Sequence, residues 1–78
     1  MEVFYKVGKL YLNIKIKQLL KEKGISQKEL AERTGLREAT ISELANNRRD
    51  VINKQHLLLI MEELNIDDLN DIVEVIKI

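Results

Sequence analysis

Few side chains in this 78-residue chain are equipped for covalent or metal chemistry, and their spacing gives them no reaction to perform. Ser26 and Ser42 are the only serines, and neither has a recognisable base and acid for nucleophilic work. His56 is the single histidine, with no cysteine and no spaced carboxylate set beside it, so a metal centre lacks ligands. Asp67, Asp68, Asp71 and Glu74 lack the spacing and the glycine of a calcium loop; they read as a helix start and solubilising charge. No catalytic residue, metal, cofactor or small-molecule substrate is expected. What remains is recognition chemistry. Gln27, Lys28, Arg37, Arg48 and Arg49 are donors suited to an anionic partner, and they lie in or just beyond the stretch GISQKELAERTGLREATISELANN.

Those donors can act together only if short helices hold them. The first helix signal is Leu12, Ile16, Leu19 and Leu20, at i, i+4, i+7 and i+8, ending at Gly24 with lysines in its last turn. Ser26-Gln27-Lys28-Glu29 then predicts a reciprocal capping box, flanked by Ile25 and Leu30 as the apolar staple. That helix runs to about Thr34 and stops at Gly35. A third starts near Glu38, with Ile41, Leu44 and Ala45 inward and Thr40, Glu43, Asn46 and Asn47 outward. Asn47 sits where a left-handed residue is wanted. A fourth follows Asn53 as cap, with Leu57, Ile60, Met61 and Leu64 as its stripe, and Asp67 and Asp68 open a short last turn.

Composition agrees with a small, mainly α domain. Hydrophobic residues make up 45% and charged ones 33%, with three aromatics, three glycines and no proline. The longest apolar run, Leu57 to Met61, is too short to span a bilayer, and MEVFYKVGKLYLN lacks the core of a secretory signal. The expectation is a single domain over 1–78, placed in the cytoplasm, with no membrane partner. Net charge is zero but unevenly spread: +4 over residues 1–24, 0 over 25–50 and −4 over 51–78. A chain polarised in this way can offer one basic face to a polyanion, or simply spread its charge for solubility.

At the level of motif, ISQKELAERTGL followed by ATIS and NNRR resembles the phage-repressor and Cro-like (XRE-type) helix-turn-helix regulators of bacteria and phages. LLLIMEELNID is similar to their following core helix, and the likeness covers roughly Leu12 to Leu69. The resemblance implies a compact lambda-repressor-like domain of four to five helices, with the helix-turn-helix unit at about 26–47. It also implies a DNA-binding transcriptional regulator, a repressor acting as a homodimer on double-stranded DNA, with the 38–46 helix in the major groove. Carried over by position, Gln27, Lys28, Arg48 and Arg49 would hold phosphates. Arg37, Glu38, Ala39, Thr40 and Glu43 would face the bases: Arg37 reading guanine, Glu43 accepting from cytosine, Ala39 or Thr40 meeting a thymine methyl. The chain departs from the pattern in placing Arg37 where Ser or Thr usually caps the recognition helix. Glu38 and Glu43 also put negative charge on the expected DNA face.

Two alternatives stand beside this reading. Arg48-Arg49 can be a solvated helix end, and Gln27 and Lys28 ordinary first-turn surface residues. On the same scaffold the chain could bind protein instead, as an antitoxin or anti-repressor subunit, which its zero net charge and two glutamates favour. The chain's ends lie outside the helical unit. VGKLYLNI and IVEVIKI are rich in β-branched and apolar residues, and Val73, Val75 and Lys77 alternate with Ile72, Glu74 and Ile76. A small two-stranded sheet joining the ends is expected, within a subunit or exchanged across a dimer, with Lys9 or Lys15 opposed to Glu74. A helix through Ile66, Leu69, Val73 and Ile76 is the alternative.

Overall fold

Strand alternation wins at both ends of the chain. The computed structural model describes residues 8–77, in which Leu10–Ile14 forms strand β1 and Val73–Lys77 forms strand β2. They pair antiparallel within one chain, Leu12 opposite Val75 and Ile14 opposite Val73. The Lys15 N–H continues the ladder to the Ile72 carbonyl at 2.7 Å. Between the strands lie α1 (Ile16–Lys23), α2 (Gln27–Thr34), α3 (Glu38–Ala45), α4 (Lys54–Glu63) and a 3-10 turn at Leu69–Asp71. The expected fold of four to five helices and a small sheet is the one observed, the fifth helix being that single turn.

Helices this short need defined ends. The Ser26 hydroxyl accepts from the Glu29 N–H at 3.0 Å to start α2, and Asn53 Oδ1 accepts from the Gln55 and His56 N–H groups to start α4. Three helices close in the same way. At Gly24, Asn47 and Asn65 the backbone turns left-handed, with φ of 68°, 55° and 60°. The next amide then reaches back five residues: Ile25 to Leu20, Arg48 to Glu43, Ile66 to Met61. This is the Schellman arrangement, which satisfies carbonyls that the helix leaves open and usually adds an apolar contact from the residue after the left-handed one. Ile25 and Ile66 make that contact, packing on the core. Arg48 does not; it is exposed.

The core is aliphatic, as the shortage of aromatics requires. Ile16, Leu30, Ile41, Leu44, Ile60, Leu64 and Ile72 are almost wholly buried, and Ile14, Leu20, Ala31, Ala45 and Met61 complete the cluster. Every helix and both strand ends contribute. At ~25 cal/mol per Å² of apolar surface, these residues supply most of what orders the chain.

Four expectations are corrected. Leu12 belongs to β1, 46% exposed, and not to the first helix, because the strand's pairing runs to Ile14 and the helix begins only at Ile16. The strand expected over VGKLYLNI starts at Leu10, and Val7 lies outside the described residues. The capping box at Ser26 forms by half: the Glu29 carboxylate turns instead to Arg33, one helical turn on. Glu74 stands opposite Asn13, whose Nδ2 donates to its Oε2 at 3.2 Å, while Lys15 Nζ donates to the Asn70 carbonyl.

Candidate nucleic-acid interface

The interface is built by the way α2 and α3 meet. Leu30 and Ala31 of α2 are buried together with Ile41, Leu44 and Ala45 of α3. The small Ala31 side chain lets the helices approach. Gly35 makes the turn at φ 77° with its N–H on the Ala31 carbonyl, a conformation that L side chains enter at a cost. Thr34 Oγ1 donates to the Leu30 carbonyl at 2.8 Å and accepts from the Leu36 N–H, and Leu36 packs on the core. Arg33 of α2 also reaches Glu63 of α4 at 3.9 Å, a contact that sequence spacing does not reveal.

With one face of α3 committed to the core, the other is free. Glu38, Ala39 and Glu43 are exposed or nearly so on the outward side, and Thr40 is half-buried, leaving part of its surface for contact. Arg37 occupies the N-cap position itself, in extended backbone, and its side chain makes no cap bond. A guanidinium has only donors, so it cannot accept from the first-turn amides, and the helix start does not shift to find a better cap. Its side chain is exposed instead. On α2, Gln27 is half-buried at the first position and Lys28 is exposed beside it.

The other end of α3 is where the residues interact most closely. Arg49 Nε lies 3.1 Å from Glu43 Oε1, so a side chain expected at phosphate and one expected at a base are ion-paired. The Arg48 N–H donates to the Glu43 carbonyl at 3.0 Å, which ties the Arg48–Arg49 segment to the last turn of α3. Asn46, expected on the outward side, folds back to donate to the Ser42 carbonyl at 2.8 Å. Asn47, expected outward as well, turns its side chain to β1. Its Oδ1 accepts from the Ile14 N–H at 2.7 Å and its Nδ2 donates to Asn13 Oδ1 at 2.8 Å. The left-handed backbone of Asn47 was legible in its residue type; this long-range use of the amide had no local signal. Among the described residues no group of His, Cys, Asp or Glu is arranged to hold a metal ion, and no helix is long and apolar enough to cross a membrane.

Known proteins share this arrangement. Residues 15–77 match the model of the Cro/C1-type HTH DNA-binding domain. The fold is similar to the crystal structure of the transcriptional regulator VanUg, at 28% identity and a TM-score of 0.71 over the whole of both chains. It is also similar to SinR, the master regulator for biofilm formation, in complex with DNA: 35% identity and a TM-score of 0.62 over 67% of this chain and 82% of that one. A third likeness is to the restriction-modification controller protein C.Esp1396I, as a tetramer in complex with its natural 35 base-pair operator. There the identity is 36% and the TM-score 0.59, over 70% of this chain and 71% of that one. No curated protein matches the chain.

Proposed function

The chain belongs to the Cro/C1-type helix-turn-helix DNA-binding family, and from that premise we propose that it is a cytoplasmic, operator-specific repressor that works as a homodimer. One observation carries the reading. The family match runs through both helices of the unit, and the outer face of α3 presents Arg37, Glu38, Ala39 and Glu43 while its inner face is buried. In this reading α3 enters the major groove, and α2 crosses the phosphate backbone at its N-terminal end. Arg37 reads a guanine edge as a bidentate donor, and Glu43 accepts from a cytosine amino group. Ala39 and Thr40 meet a thymine methyl, and Glu38 discriminates against bases that present acceptors. Gln27, Lys28, Arg48 and Arg49 grip phosphates and set the register. Two copies on a symmetric operator double the contact area and the base pairs read. The crystal structures of SinR with DNA and of the C.Esp1396I tetramer on its operator support this role for the shared fold.

The Glu43–Arg49 ion pair favours a second reading, a protein-binding module such as an antitoxin or anti-repressor subunit. It neutralises one of the cations that phosphate binding requires. Selection of bound duplexes from a random pool at several salt concentrations decides between the two. Repressor function predicts an enriched sequence and an affinity that falls steeply as salt rises, because neutralised phosphates release counterions. No enrichment and no salt-dependent shift would leave the protein-binding reading in its place.

A further inference from the structure

The turn that follows α3 differs from the two similar turns after α1 and α4. In those, Ile25 and Ile66 come after the left-handed residue and anchor the turn on the core. Here the same position is Arg48, exposed, so the apolar anchor is missing. The Asn47 side chain supplies another. Its two hydrogen bonds, at 2.7 and 2.8 Å, reach β1 more than thirty residues back along the chain.

The direction of this network is set by one group. A backbone N–H only donates, so the atom facing Ile14 must be the Asn47 oxygen, and the Asn47 nitrogen is left to donate. Asn13 therefore offers its oxygen to Asn47 and its nitrogen to Glu74 on β2, 3.2 Å away. Lys15 spends its N–H on the Ile72 carbonyl, so alternation along β1 turns the Ile14 N–H to the opposite edge, away from β2. Ile14 is buried, and Asn47 is what accepts from it there. This also explains the residue type. Glycine would satisfy the backbone at position 47, as it does at 24, but Asn tolerates the left-handed conformation and adds an acceptor and a donor on a short side chain.

We propose that Asn47 is a positioning residue for DNA binding: its clasp on β1 sets the placement of Arg48 and Arg49 and ties the phosphate-contacting turn to the terminal sheet. The inference rests on the DNA reading above. Without the clasp the turn keeps the Arg48 N–H bond to the Glu43 carbonyl and the Arg49–Glu43 ion pair but loses its hydrogen bonds to β1. The two arginines are then held to α3 alone and no longer have a defined position relative to the sheet.

The test uses the full chain, the duplex enriched from the random pool and two substitutions. Asn47→Gly keeps the left-handed backbone and removes both bonds; Asn13→Ala removes the Asn47–Asn13 bond and leaves the one to Ile14. Amide exchange at Ile14, measured without DNA, reports the clasp itself. Asn47→Gly should leave the helical circular dichroism intact and speed exchange at Ile14. It should weaken every duplex alike by about tenfold and lower the log–log salt slope by about 1 to 2, roughly one for each phosphate that the arginines no longer neutralise. Asn13→Ala should weaken binding less, in the same direction. A folded Asn47→Gly chain with fast Ile14 exchange but unchanged affinity and salt slope overturns the proposal, since the clasp would then serve the fold alone. If Asn47→Gly does not fold, an unchanged salt slope in Asn13→Ala overturns it equally. Failure of the unsubstituted chain to bind any duplex removes the DNA reading and this inference together, and is recognised before any variant is made.

Discussion

Replacing Glu43 with alanine probes the place where two proposed duties collide. The carboxylate is set to accept from a cytosine, yet it already holds Arg49 at 3.1 Å. Both side chains are exposed, 51% for Glu43 and 39% for Arg49, so water screens the pair and its contribution to stability is roughly 0.2–1 kcal/mol. For a domain of this size the melting temperature should therefore fall by no more than about 4–8 °C. The effect on DNA is larger and depends on sequence. A hydrogen bond between a charged carboxylate and the cytosine amino group is worth about 1.5–3 kcal/mol, or roughly 10- to 150-fold, at a single base pair. Freeing Arg49 from its competitor returns at most about 1 kcal/mol, roughly fivefold, and returns it to every duplex alike. The base term wins on the selected duplex, so binding there should weaken. Duplexes altered only at the base pair that Glu43 reads should bind as well as before or better. Fluorescence anisotropy titrations of the selected duplex and a set of single-base-pair variants, at one salt concentration, measure both terms. Equal tightening on all of them refutes the reasoning and leaves Glu43 as an electrostatic brake on Arg49.

Further substitutions separate reading, positioning and folding. Arg37→Ser gives α3 the cap acceptor it lacks, so the melting temperature should rise, by an amount that corresponds to about 0.5–2 kcal/mol, while base preference relaxes at one position; scanning calorimetry and binding selections check the two halves. Lys28→Ala should weaken all sequences alike and reduce the salt slope by about 1, seen in titrations over a salt series. Gly35→Ala meets open space but must hold φ near 77°, so it should cost about 1–2 kcal/mol in chemical denaturation with the base preference of the folded fraction unchanged. Removing residues 73–78 strips β2 from β1, should lower the melting temperature sharply and, where dimerisation uses the sheet, should abolish it in sedimentation experiments.

The parts of the fold written locally were legible. Ser26, Gly35, Asn47, Asn53 and Asp68 each mark a helix end through a property of one residue type, and each stands where that property is used. The inward stripes of α3 and α4 followed from spacing alone. Leu12 was ambiguous because it fits a helical stripe as well as a strand; β2, sixty residues later, resolves it by pairing. The site was legible as a surface but not as a network. Nothing near Glu43 announces that Arg49 folds back on it, since six residues is not a helical neighbour spacing. Glu29 had two partners in reach, the Ser26 amide and Arg33, and its choice of the cation was not written in the capping pattern. The Asn47–Asn13 contact joins positions that only the tertiary fold brings together.

The pairing of β1 with β2 has a consequence for how the protein is made. A ribosome adds β1 and all four helices to the chain before β2 has been synthesised. The helices are closed by short-range bonds and can begin to pack early, whereas β1 must wait across some sixty residues for its partner, the slowest kind of contact to form. During that interval the exposed Leu10 and Leu12 sit on an unpaired edge, a hazard for aggregation. The segments of all four helices thus exist before the sheet that joins β1 to β2 can form. Translation that stops short of Val73 yields helices without their sheet, so the domain is complete only once β2 has joined β1.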